Sequence, residues 1–293
     1  MAARYHRDGS RDGRSGEKLS NARVPSVIDS NQICETPYGG AMEPVYTPVI
    51  AVARAVFAAQ GLNFTITGAE NIPTTGGAVL MINHLSYFDF AYAGLAARPS
   101  KRLVRFMAKD GVFDHRISGP LMRGMHHIPV DRTAGAASFR VAVNALRAGE
   151  IVGVFPEATI SRSFELKGFK SGAVRMAQAA GVPVVPMIIW GSQRVWTKGY
   201  PKRLGRTNVP ITLSVGEPIL AGRRDDAEDI SAQIRARMTD LLHAAQDAYP
   251  AVPSVELKYL PARLGGSAPT LEQATVLDDE DVVRRAARRG RAG

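Results

Sequence analysis

His84 and Asp89 are the two residues whose types and spacing best suit proton transfer. They lie in Asn83-His84-Leu85-Ser86-Tyr87-Phe88-Asp89, between the apolar run 78–82 and the helical pattern 90–97. The run reads as a buried strand, so the histidine falls where a strand ends and the carboxylate falls in a first helical turn. Neutral imidazole titrates at about 6.5 and accepts a hydroxyl proton near neutral pH. A carboxylate on its other ring nitrogen fixes the tautomer and stabilises the imidazolium. A plainer reading also fits, because Ser86 and Asp89 have capping-box spacing at a helix start. The two roles are compatible. No G-x-S-x-G elbow occurs, so the pair is read as activating a substrate hydroxyl rather than a nucleophile of the enzyme.

A second cluster, Glu157 to Arg162 with Lys167 and Lys170, follows the strand pattern 151–155. It shares an edge with His84 if the two strands run parallel. Arg162, Lys167 and Lys170 there offer charge-assisted hydrogen bonds to a phosphate. Asp131-Arg132, after the short run 128–130, adds a third candidate. Taken singly, each of these charges also fits a solvated loop or a local ion pair.

Strand patterns at 62–67, 78–82, 103–108, 127–132, 151–155, 182–190 and 211–215 alternate with helical ones at 117–123, 136–148, 171–180 and 227–248. Alternation of this kind predicts an α/β fold, with a central, mainly parallel sheet flanked by helices. Ahead of it, Val49, Val52, Ala53, Val56 and Phe57 repeat at helical spacing up to Gly61. The expected organisation is a disordered basic tail over 1–40, an amphipathic, possible membrane-associating helix over 41–62, and a catalytic domain over 63–250. A largely disordered C-terminal extension over 251–293 completes it, since Asp278 to Asp281 and the arginines beyond read as a solvated charge run.

The 293 residues can bury one large core or at most two smaller ones, and 45% hydrophobic with 22% charged content is ordinary for a globular protein. A formal charge of +10 favours a polyanionic neighbour such as an anionic bilayer, a phosphorylated substrate or nucleic acid. Cys34 is the single cysteine, which excludes an internal disulfide and a multi-cysteine zinc site. No signal-peptide pattern and no run of about 20 apolar residues is present, so membrane contact is expected to be peripheral. RNA-binding aromatic signatures and zinc-finger spacings are absent, which disfavours a nucleic-acid module.

Four blocks taken in order are more specific than any one of them. Asn83-His84 with Asp89, Ile128-Pro129-Val130-Asp131-Arg132, Phe155-Pro156-Glu157-x-Thr159 with Ser161-Arg162, and Val182 to Pro186 resemble the glycerolipid (lysophospholipid) acyltransferase family, typified by 1-acyl-sn-glycerol-3-phosphate acyltransferase. The resemblance covers residues 61–218. It implies the glycerolipid acyltransferase fold, His84 as base, Asp89 as its partner and Arg132 as an acceptor-phosphate ligand. Glu157 is implied in acceptor binding. Arg162 and Lys170 are candidate substrate-binding residues, and Val182 to Pro186 is linked to the donor side. It further implies acyl-CoA or acyl carrier protein as co-substrate with no other cofactor, a lysophospholipid acceptor, and a place on the cytoplasmic face of the plasma membrane. Other acceptors, such as glycerol 3-phosphate or a glycolipid, remain open. The third block departs from the usual Pro-Glu-Gly-Thr-Arg-Ser, with Ala158 for glycine and Ile160 for arginine.

Overall fold

A computed structural model describes residues 27–29, 43–131 and 135–290. Its centre is an eight-stranded sheet: β1 (Val27–Asp29), β2 (Asn63–Thr67), β3 (Ala78–Ile82), β4 (Val104–Lys109), β5 (Ile128–Val130), β6 (Ile151–Val154), β7 (Val184–Trp190) and β8 (Pro210–Val215). The spatial order is β1-β2-β8-β7-β3-β6-β4-β5. Strands β7, β3, β6, β4 and β5 are mutually parallel, as expected. β8 runs antiparallel to β7 and parallel to β2, while β1 pairs antiparallel with β2.

The helices are α1 (Tyr46–Ala59), α2 (Asp89–Ala96), α3 (Ser118–Gly124), α4 (Gly135–Arg147), α5 (Gly172–Ala180), α6 (Ala227–Asp247) and α7 (Leu271–Gly290). Every residue of β3 and β7 is buried, as suits strands covered on both faces. The two-residue period divides β3 between two cores. Ala78, Leu80 and Ile82 join α1 and α2, whereas Val79 and Met81 join α4, α5 and α6.

α1 is anchored ahead of the sheet by polar contacts as well as by packing. Tyr46 Oη donates to Val104 O at 2.8 Å, and buried Arg105 on β4 bridges Glu43 and Glu150. Its apolar residues do not form a single stripe. Tyr46 and Phe57 are buried against the body, while Val52 and Val56 are 64% and 45% exposed.

Two expectations are corrected. The tail expected over 1–40 falls mostly outside the described residues, but Val27–Asp29 is a strand paired with β2. The extension expected to be largely disordered contains 3-10 turns at Ser254–Tyr259 and Ala262–Leu264 and the long helix α7. Its acidic run meets cations contributed by distant loops, so charges that look solvated in the sequence are paired.

Candidate active site

Because β3, β6 and β7 are parallel neighbours, the loops at their C-terminal ends meet on one edge of the sheet, where α/β folds place ligands. Asn83 extends the β3–β7 pairing past the end of β3. Its side chain donates to Ile189 O at 3.0 Å and accepts from Ile189 N at 2.7 Å. The chain then turns, and the loop is held on both sides. On the β7 side, Ser86 Oγ donates to Trp196 O at 2.8 Å and Thr197 Oγ1 to Leu85 O at 2.6 Å. On the β6 side, Ser161 N donates to His84 O at 2.8 Å.

His84 Nδ1 lies 3.1 Å from Asp89 Oδ2. The same oxygen accepts from Leu85 N at 2.6 Å and Ser86 N at 2.7 Å. One fully buried carboxylate thus forms the dyad and closes the turn ahead of α2. The full capping box does not form: Ser86 Oγ accepts from Phe88 N and donates to Trp196 O, and the helix N-cap, Phe88, makes no side-chain cap bond. The imidazole is stacked on Phe155 with centroids 4.3 Å apart, and its side chain is 22% exposed. With Nδ1 facing the carboxylate, Nε2 is the ring nitrogen left for a substrate. A second histidine, His127, is buried and pushed down to about 4 by burial, with Arg105 adding to the effect. Neutral, it accepts the N–H of Phe106 at 3.1 Å and lines an apolar cavity, so its place is structural.

That cavity lies between α1 and α2, walled by Tyr46, Val49, Ala53, Phe57, Phe90, Gly94 and Leu95. Aromatic contacts link it to the dyad. Phe90 meets Phe106 at 6.0 Å, Phe106 meets Phe155 at 6.3 Å, and Phe155 carries His84.

The Acyltransferase family model matches residues 63–190, which contain the dyad, its loops and the strands behind them. A 1-acyl-sn-glycerol-3-phosphate acyltransferase of Bacillus subtilis (strain 168) is 32% identical over 178 residues, 59% of this chain and 81% of that protein. The chain belongs to the 1-acyl-sn-glycerol-3-phosphate acyltransferase family. It is also 31% identical over 164 residues to a chloroplastic member from Arabidopsis thaliana, covering 55% of this chain but 44% of that longer relative. The crystal structure of the 1-acyl-sn-glycerophosphate acyltransferase PlsC from Thermotoga maritima shares the fold, with TM-score 0.59 and 20% identity over 70% of this chain and 81% of that one.

The acyltransferase places its other candidate residues unevenly. Arg132 lies outside the described residues. Glu157 does reach the dyad loop, through backbone groups. Its buried carboxylate accepts from His84 N at 2.9 Å and from Lys167 N at 3.1 Å, tying the β3 loop to the β6 loop. Both oxygens are engaged, so Glu157 is a clamp between backbones, a role the sequence did not announce beside its expected part in acceptor binding. Arg162 is turned toward α7, with Nη2 2.7 Å from Asp281. Lys170 is exposed, and its backbone N–H bonds Pro156 O at 3.2 Å. No ion pair joins its side chain to the Arg162 cluster among the described residues.

Both departures in the third block have a physical reading. Ala158 has φ of 60°, the left-handed region where glycine is favoured, so its methyl group costs about 1 kcal/mol there. Ile160 is 4% exposed, packed where the usual pattern has an arginine. Lys167 is among the cations expected to meet a phosphate, whereas Lys198 is not singled out by its local sequence. Lys198 had one available signal, its place in the loop after β7, next to β3.

Burial pushes the Glu157 carboxyl up to about 7, although His84 N–H and Lys167 N–H pull the other way. The folded protein therefore holds this proton more tightly than the unfolded chain. That stability is complete below the ordinary carboxylate range and is lost as pH rises to about 7. From about pH 5 to about pH 8 the wild type should lose a few kcal/mol relative to Glu157→Gln, at about 1.4 kcal/mol per pKa unit. Parallel denaturation curves of the two proteins across that range check it; equal pH slopes contradict the assignment.

Proposed function

We propose that the enzyme transfers a fatty acyl group from acyl-CoA or acyl carrier protein to the free hydroxyl of 1-acyl-sn-glycerol-3-phosphate, forming phosphatidic acid. The observation that carries this reading is the 3.1 Å contact between His84 Nδ1 and the buried Asp89 carboxylate at the sheet edge. His84 Nε2 takes the proton of the acceptor hydroxyl as its oxygen attacks the thioester carbonyl. Asp89 stabilises the imidazolium that results. Collapse of the tetrahedral intermediate breaks the C–S bond, and the imidazolium proton goes to the leaving thiolate. Arg132 is the proposed ligand of the acceptor phosphate.

The cavity between α1 and α2 is the proposed seat of an acyl chain, since its lining is mainly apolar, with Arg98, Arg102 and His127 among its polar members, and aromatic contacts lead from it to His84. Gly94 offers a test. A Cβ built on Gly94 meets no atom within 4 Å, so Gly94→Leu should be tolerated and should shorten the space. We expect preference to shift toward shorter acyl chains by about 10-fold in relative kcat/KM, since several lost methylene contacts at about 0.8 kcal/mol each exceed that discrimination. An unchanged chain-length profile rejects the seat.

Membrane contact is proposed to involve α1, whose Val52 and Val56 face outward on a chain of charge +10. No helix among the described residues is long and apolar enough to cross a bilayer. The cytoplasmic face of the plasma membrane is the proposed place, where anionic lipids would attract such a charge.

A second acceptor is favoured by one observation: buried Ile160 stands where a phosphate-binding arginine is usual. Assays of purified protein should cross acyl-CoA and acyl carrier protein donors with lysophosphatidate, glycerol 3-phosphate, other lysophospholipids and a glycolipid. The leading reading predicts the highest kcat/KM with lysophosphatidate. A higher value with another acceptor transfers the proposal to that lipid.

A further inference from the structure

α7 is held against the protein by a narrow and unusually polar stripe. Ala274 is buried, and Leu277, Asp278 and Asp281 are half-buried, at the i, i+3, i+4 and i+7 positions of one helical face. Val276, Val282 and Val283 point to solvent, between 58% and 68% exposed. One alanine and one leucine bury little apolar area, so ion pairing must supply much of the docking.

That pairing is concentrated. Asp278 contacts Lys167 Nζ at 2.5 Å, Lys198 Nζ at 2.5 Å and Arg162 Nε at 3.4 Å. Asp281 contacts Arg162 Nη2 at 2.7 Å and Lys198 Nζ at 2.9 Å. Three cations thus converge on the position of one carboxylate, with a second beside it.

The loops that supply these cations are the ones that hold the dyad. Arg162 follows Ser161, whose N–H binds His84 O. Lys167 gives its backbone N–H to Glu157, and Lys198 follows Thr197, which binds Leu85 O. A phosphate group carries up to about two negative charges near neutral pH and three strong acceptor oxygens. It can accept from an arginine fork and two ammonium groups together, which one carboxylate satisfies less fully.

We propose that Arg162, Lys167 and Lys198 form a phosphate-binding site beside the acyl-transfer loop, filled in this structure by Asp278 and Asp281, so that α7 and a phosphate-bearing ligand exclude one another. These side chains are only 11–18% exposed, so the pairs are strong, but a phosphate that takes over the three cations leaves none of them buried and unpaired, which leaves the helix displaceable. The proposal goes beyond the acyl-transfer reading and concerns binding alone, so its test stands whether or not the acceptor is lysophosphatidate. The shared chemistry is a phosphate, which can come from a soluble phosphomonoester or from an anionic lipid headgroup.

Hydrogen–deuterium exchange of residues 271–290 in the full chain separates the outcomes. Glycerol 3-phosphate, phosphatidylglycerol vesicles and phosphatidylcholine vesicles would each be added at one ionic strength set with chloride. Exchange across α7 that rises severalfold with glycerol 3-phosphate supports a soluble source. A rise with phosphatidylglycerol but not with glycerol 3-phosphate or phosphatidylcholine supports a headgroup. Unchanged protection with all three probes overturns the proposal, as does an equal rise with both vesicle types. In a second measurement, Asp278→Asn with Asp281→Asn should bind inorganic phosphate about tenfold more tightly than the wild type in a calorimetric titration. Adding Lys198→Gln should remove that gain. Equal phosphate affinity in the wild type and the double variant also overturns it, making α7 a fixed brace.

Discussion

Replacing His84 by alanine is expected to lower acyl transfer by about 10³-fold or more while leaving the fold in place, since a positioned general base contributes about 10²–10⁴. The side chain is partly exposed and packs on Phe155, so its removal opens no deep cavity. Its backbone keeps its bonds to Glu157 and Ser161, so the loop retains its anchors. The measurement is thiol release by purified protein, with circular dichroism to show that the variant is folded. Near-normal turnover in a folded His84→Ala protein would remove the proposed mechanism.

Asp89→Asn should cost both catalysis and stability, and for separable reasons. We expect turnover to fall by about 10²-fold or more with a smaller change in the acceptor's KM, because an amide cannot stabilise an imidazolium as a carboxylate does. One oxygen, Oδ2, serves His84 and the N–H groups of Leu85 and Ser86. An amide oxygen can take its place, but it loses the charge that strengthens all three bonds. The other oxygen, Oδ1, is buried without a hydrogen-bond partner, so an NH₂ group there gains nothing. A stability loss of about 1–3 kcal/mol is expected from weakened buried hydrogen bonds. Denaturation and turnover must be measured on the same preparations. A lower midpoint with normal activity per folded molecule would leave Asp89 as a brace of the turn ahead of α2 and no more.

Much of the scaffold can be read from local pattern. The apolar runs at 78–82 and 182–190 read as strands covered on both faces, and the helical periods that separate the strands imply crossovers and a largely parallel sheet. Helix α1 was visible as a period, but not which valines it would bury. Val52 and Val56 look equivalent to Phe57 until the helix is placed on the body. The C-terminal segment was misread because α7 is acidic and then basic along its length, the pattern of a solvated tail. Its partners Arg162, Lys167 and Lys198 lie between 80 and 119 residues away in the chain.

Glu157 marks the same limit at the site itself. Its side chain is occupied by backbone N–H groups, which every non-proline residue possesses, so no residue type in the sequence announces its partners. The sequence by itself determined the α/β layering, the placement of His84 at a strand end with Asp89 in the next helical turn, and the family to which those motifs belong. Short-range periodicity and spacing encode all three. Only the tertiary structure decided that Asp89 serves the preceding turn and the dyad with one oxygen, that Glu157 clamps two loops, and that α7 lies on the cations beside them. Those outcomes depend on contacts between distant segments, and such contacts exist only once the sheet has brought its strand ends to one edge.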